Sequence, residues 1–212
     1  MPLKLVLGKH EFSLSNEALR AMATSLARTK AKERGFAFCR RGEEDIIPGH
    51  EYLGGPYSIR VRDCSRAGSQ FRFIGNFHTH PRGDSRPSWG DGYALLLDSH
   101  KYQIPFLKCR GGVADQRIRC ETVKEIPSEE DVEKVRSKGD MRYYHAFDDP
   151  DIAKYLTEPY SFPVSKIREM VAPPKPPRPE PRIQIEELVF ANSAYQKRIN
   201  PVTGEVEIVK LY

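Results

Sequence analysis

Between Phe71 and His80 the chain reads as a strand, and between Ser88 and about His100 as a helix. Only Pro81-Arg-Gly-Asp-Ser-Arg-Pro87 turns one into the other. Successive side chains of a strand point to opposite sides. Phe71, Phe73, Gly75 and Phe77 therefore fall on one face, and Arg72, Ile74, Asn76, His78 and His80 on the other. Ser88 is a good helix N-cap, and Asp91, three residues on, completes a capping box. Leu95, Leu96 and Leu97 follow within the helix and are available to a core. A strand that feeds a helix in this way belongs in a sheet with helices packed on it, so the expected fold class is α/β or α+β.

The flanking segments fit that class. Leu3 to Leu7 reads as a short strand. Ser15 caps a helix in which Leu19, Met22, Ala23 and Leu26 make one apolar stripe, with Leu14 and Leu19 placed as a hydrophobic staple. Phe36 to Cys39 is a buried strand, residues 42–57 read as a Gly/Pro-rich loop, and Ser58 to Asp63 alternates as a strand. Ile104 to Arg110 and Arg117 to Val123 form an expected hairpin across Gly111-Gly112. Beyond Ile126 the composition shifts: a charged helix opens at Ser128, and a short one covers Ser165 to Val171. Six prolines crowd residues 173–181, and Gln196 to Ile199 pairs with Glu205 to Leu211 as a hairpin. The expected organisation is a core domain at 1–126, a helical extension at 127–172, a proline-rich linker at 173–182 and a β-hairpin tail at 183–212.

His78 and His80 carry the chemistry. At positions i and i+2 of a strand they project from one face about 6–7 Å apart along the chain, so both imidazoles can reach one ion. Asp91, in the first turn of the next helix, supplies a third ligand. Three protein ligands leave a fourth tetrahedral position for water, the arrangement of a catalytic rather than a structural zinc. Zinc lowers the pKa of that water to about 7. Ser88 and Asp91 would also cap the helix with no metal at all, and the two roles are compatible. Other folds that use a His-x-His pair fit less well: no Asp-His pair follows, and no Glu lies between His80 and Asp91. A metal-binding barrel is typically longer than this chain.

His78-x-His80-x7-Ser88-x2-Asp91 resembles the signature of the JAMM (MPN+) zinc metalloproteases, with every signature residue at its expected spacing. The resemblance covers residues 3–123 and implies an MPN-type, cytidine-deaminase-like mixed sheet flanked by helices. It further implies one Zn²⁺ per chain, held by His78, His80 and Asp91. Glu33, which precedes Gly35 and lies 45 residues before His78, would be the general base. Ser88 would stabilise the oxyanion. The implied reaction is hydrolysis of a peptide or isopeptide bond at the C-terminus of ubiquitin or a ubiquitin-like modifier, the modifier or its conjugate being the substrate. A non-catalytic MPN scaffold and a metal hydrolase acting on another bond are the alternatives.

Composition narrows the setting. No apolar run reaches the 18 or so residues of a membrane helix, and no signal peptide is evident, so a cytoplasmic protein is expected. With 34 basic and 29 acidic residues interspersed and a net charge of +5, a nucleic-acid role is not favoured. The cysteines, Cys39, Cys64, Cys109 and Cys120, make no zinc ribbon. Cys109 and Cys120 could meet across their hairpin, but four buried thiols are expected in a reducing compartment. Trp89 is open to either a groove or a packing role, and Thr79 should pack on the face away from the histidines. His10, His50, His100 and His145 lack ligand-like neighbours, and the tail is a candidate docking segment for a protein partner.

Overall fold

The computed structural model describes residues 2–61, 64–138, 144–171, 184–190, 193–199, 203 and 205–210. The chain divides into two compact units, Met1–Ala172 and Pro173–Tyr212. In the first unit, β1 (Leu3–Leu7) and β2 (His10–Leu14) form a hairpin. Next comes α1 (Asn16–Arg28), where the Ser15 hydroxyl accepts the Ala18 N–H at 3.1 Å as the expected cap. After it come β3 (Arg34–Arg40), β4 (Ile47–Leu53), β5 (Arg72–His80), α2 (Trp89–Tyr102), β6 (Leu107–Gly112) and β7 (Arg117–Glu121). The unit ends with α3 (Glu129–Lys138), α4 (Pro150–Ala153), β8 (Tyr160–Pro163) and α5 (Val164–Val171).

Six strands make one mixed sheet in the order β4-β3-β5-β6-β7-β8. Only β5 and β6 are parallel, and α2 is the crossover that a parallel pair requires. This is a mixed α/β fold flanked by helices, as expected. One sheet face packs on α1: Phe36, Phe38, Phe77, Leu107, Ile118 and Phe162 meet Leu19, Met22 and Leu26. Burying each large apolar side chain contributes about 1.5–3 kcal/mol. A second core forms where Leu95 and Leu96 of α2 meet Phe106, Val132, Val135, Ile152 and Leu156.

Several expectations need correcting. The even alternation from Phe71 to Phe77 is broken: Phe38 pairs with Gly75 but Cys39 pairs with Phe73, which leaves Ile74 as an extra residue in β5. A bulge flips every side chain before it. Ile74 thus joins the α1 core, while Phe73 packs edge-on against Phe106 and Tyr102. The supposed loop at 42–57 contains β4, held partly by Glu51, whose carboxylate accepts from Ser25 Oγ at 2.5 Å and Arg34 NH1 at 2.9 Å. Residues 58–61 are not a strand, although they alternate; the sheet edge is already taken by β4. Gly111 and Gly112 lie within β6, and the turn to β7 follows at residues 113–116.

The four cysteines are paired rather than free: Cys39 with Cys64, and Cys109 with Cys120. Cys109 and Cys120 are register partners with Cα atoms 4.0 Å apart. Disulfides persist in oxidising compartments, so this pairing lends no support to the cytoplasmic expectation. Among the described residues no helix is long and apolar enough to cross a membrane.

Residues 127–171 are not an appendage. β8 is the sixth strand of the sheet, α5 packs on α1, and α3 and α4 complete the second core. The proline-rich stretch lies outside the described residues. In the second unit β9 (Gln184–Phe190), β10 (Ser193–Ile199) and β11 (Val206–Lys210) form an antiparallel sheet in the order β11-β10-β9. The expected hairpin is its β10–β11 pair.

Candidate metal centre

The sheet face turned toward α2 differs in kind from the α1 face. On β5 it carries Asn76, His78 and His80. Through the parallel register, Asn76 opposite Lys108 and His78 opposite Arg110, it carries Lys108 and Arg110 on β6. His78, Asn76, Lys108 and Arg110 are all buried.

His78, His80 and Asp91 converge. Their donor atoms all lie within 4.8 Å of one another. The two Nε2 atoms are 3.2 Å apart, His78 Nε2 is 3.0 Å from Asp91 Oδ1, and His80 Nε2 is 3.3 Å from Asp91 Oδ2. Donors bound to one zinc at about 2.0–2.1 Å in tetrahedral geometry stand about 3.3 Å from each other. The protonation pattern points the same way. His80 Nδ1 lies 2.8 Å from the Asp84 carbonyl oxygen, which can only accept, so Nδ1 carries a hydrogen. Against its burial, contacts with Asp91 raise His80, and in the neutral ring the lone pair of Nε2 faces inward. Burial pushes His78 down to about 4, which keeps it neutral. Burial alone would raise Asp91, but its contacts with the two histidines and the nearby Arg110 hold it well below the usual carboxylate range. Two imidazoles and a carboxylate facing one point could hold a metal ion. The donor set, two imidazoles and a carboxylate, fits zinc or another borderline metal.

Ser88 and Asp91 make the full capping box. Asp91 N donates to Ser88 Oγ at 3.1 Å and Ser88 N to Asp91 Oδ2 at 2.9 Å. The Ser88 hydroxyl also donates to Asp91 Oδ2 at 2.8 Å. The cap thus orients the third ligand.

Glu33 is anchored just before β3, its N–H donating to the Gly55 carbonyl at 2.8 Å and its carbonyl accepting from Gly54 N at 2.8 Å. Two residues on, Gly35 pairs with His78. A Cβ there would stand 2.5 Å from the Phe77 carbonyl oxygen, so only glycine lets β3 bring Glu33 this close to the histidines. Burial raises the Glu33 carboxyl to about 7 against the opposing pull of His80, a value suited to accepting and returning a proton near neutrality. Glu33, His78, His80, Ser88 and Asp91 line one groove of about 1310 Å³. All five residues singled out in the sequence are therefore brought together. Thr79 is buried on the other face, accepting from Thr29 Oγ1 at 2.8 Å and Arg34 N at 3.0 Å.

Two features escaped the sequence reading. Arg110 and Glu121 form a fully buried ion pair beside the triad; the alternation of Leu107-Lys-Cys-Arg110 would have put Lys108 and Arg110 on the histidine face once the parallel register was known. The second is the brace on α2. Trp89 N donates to the Tyr144 carbonyl at 3.1 Å, Ala146 N to that of Pro87 at 3.0 Å, and Trp89 Nε1 to Asp149 Oδ2 at 2.9 Å. The Trp89 ring also stacks on Tyr93. Trp89 is a packing residue, and residues 144–149 hold the start of α2. Asp149-Pro150 signalled a helix start, but its partner lies 60 residues away.

Comparison with protein-family models and with curated proteins gives no match for this chain.

Proposed function

We propose that the chain is a zinc-dependent (iso)peptidase of the JAMM (MPN+) type, acting at the C-terminus of ubiquitin or a ubiquitin-like modifier. The observation that carries the reading is the convergence of His78, His80 and Asp91 at tetrahedral edge lengths, with a buried glutamate of raised pKa on the same groove. The antiparallel β3–β5 pair, the parallel β5–β6 pair and the α2 crossover support an MPN-type arrangement.

His78, His80 and Asp91 would hold the ion. Zinc in such a site supplies a water of lowered pKa and polarises the scissile carbonyl. Glu33 takes the proton of the attacking water and delivers it to the leaving amine. Ser88 Oγ, whose hydrogen rests on Asp91 Oδ2, turns it toward the developing oxyanion, an interaction typically worth about 2.7–4 kcal/mol of barrier. The His80–Asp84 contact fixes the ring that ligates.

The test is hydrolysis of linear and isopeptide-linked modifier fusions by the full chain. Cleavage by the zinc-loaded wild type, lost in Glu33→Gln with metal content unchanged, is the expected result. Cleavage that survives Glu33→Gln at the wild-type rate would contradict the assignment, as would a zinc-loaded wild type inert on every fusion.

A further inference from the structure

Lys108 is unusual among the groove residues. Its side chain is 6 % exposed, yet among the described residues its ammonium has only a 3.4 Å hydrogen bond to the Asp91 carbonyl, its nearest carboxylate oxygen is 4.0 Å away, and Asp98 and Glu33 act on it from farther off. An ammonium has three N–H donors, and burying one so loosely paired is costly. The groove it opens into is also lined by Arg60, Arg82 and Lys101. Among the described residues none of these three has a carboxylate within salt-bridge distance. Arg82 reaches the Tyr57 hydroxyl at 3.5 Å, and Lys101 lies over the Tyr102 ring. Against these four cations stand Glu33 and Asp91, both engaged at the metal centre, and Asp98 on α2.

We infer that the groove selects an acidic substrate, which narrows the proposed modifiers to those whose tail or conjugate is acidic: the residues flanking the scissile bond carry carboxylates, which Lys108 meets on the floor and Arg60, Arg82 and Lys101 meet at the rim. This rests on the hydrolase reading for the word substrate but not for the binding preference. Asn76 and Lys108, neighbours in register on β5 and β6, lie two positions along the strands from His78 and Arg110, so an extended chain laid along the groove across the metal centre would pass over the ammonium. A basic segment would meet like charge at every one of these positions. Each exposed pair is individually weak, but several together set partner choice.

The experiment uses labelled peptides matched in length, with acidic, neutral or basic residues around a common bond. Anisotropy measures their binding to full-chain Glu33→Gln, and hydrolysis of the same set is followed with wild type. The acidic peptide should bind about tenfold tighter than the basic one, the gap narrowing as salt rises. The double variant Arg60→Glu/Lys101→Glu should invert the order at unchanged metal content, and Lys108→Met should weaken acidic binding. Equal binding of all three peptides, or a basic preference, would overturn the inference even if all are cleaved. Acid-selective binding by a zinc-loaded wild type that is also inert on every modifier fusion would leave the inference standing and remove the hydrolase reading instead.

Discussion

The two faces of the central sheet do different work with the same strands. Toward α1, residues of β5, β6 and β7 are Phe77, Leu107, Ile118 and their neighbours, closed by the apolar stripe of α1. Toward α2, the residues next to them in sequence are His78, Lys108, Arg110 and Glu121, equally withdrawn from water. The first face needs only burial to be stable. The second gathers charges whose desolvation opposes folding, and that is tolerable only where the charges meet partners or a ligand. The contrast separates the face that holds the fold from the face that carries the candidate metal centre.

Each face can be broken separately. The largest effect is expected on the polar one. Arg110→Ala strands Glu121 in the interior and should cost about 3–5 kcal/mol in urea unfolding of the metal-free chain. Arg110→Met with Glu121→Leu should recover most of it, and strict additivity of the two single variants would contradict a coupled pair. On the apolar face, Leu19→Ala should cost about 3 kcal/mol while the folded protein keeps its full metal content. Loss of metal in that variant would mean that the faces are not separable.

Glu33 sharpens the comparison through pH. The unfolded carboxyl titrates near 4.5 and the folded one near 7. Between these values the folded chain holds the extra proton, so wild-type stability falls as pH rises and the loss is complete above about 7. In chelated protein, Glu33→Gln should therefore gain on wild type from pH 4.5 to 7, by on the order of 2 kcal/mol, and then level off. His78 titrates in both proteins and cancels in the difference, whereas His80, the charge that pulls Glu33 down, loses that partner in the variant and trims the gain. A difference independent of pH would show that the carboxyl is not desolvated as described. The smallest stability effect belongs to Ser88→Ala, about 1 kcal/mol for the lost cap, accompanied by a fall in kcat that Ser88→Thr partly restores.

Much of the apolar face was legible in the sequence, because helical spacing from Leu19 to Leu26 and strand alternation around Phe77 are local signals. The metal ligands were legible for a related reason: His78, His80, Ser88 and Asp91 lie on one strand and the first turn of the next helix. The failures share a different cause. The bulge at Ile74 is set by pairing with β3, β4 is an edge strand whose Pro48 and Gly49 read as a loop, and Lys108 and Arg110 join the histidine face only through a parallel register. The brace from residues 144–149 onto α2 is likewise long-range. Each depends on which segments become neighbours, which no local pattern states.

The most direct test of a metal-holding face is zinc per chain in protein purified without added metal, compared with folded His80→Ala and Asp91→Ala. The geometry predicts about one zinc per chain in wild type and little in either variant. A wild type that holds none and takes none up when supplied would contradict it, and the triad would then be only a capped helix beside two buried histidines.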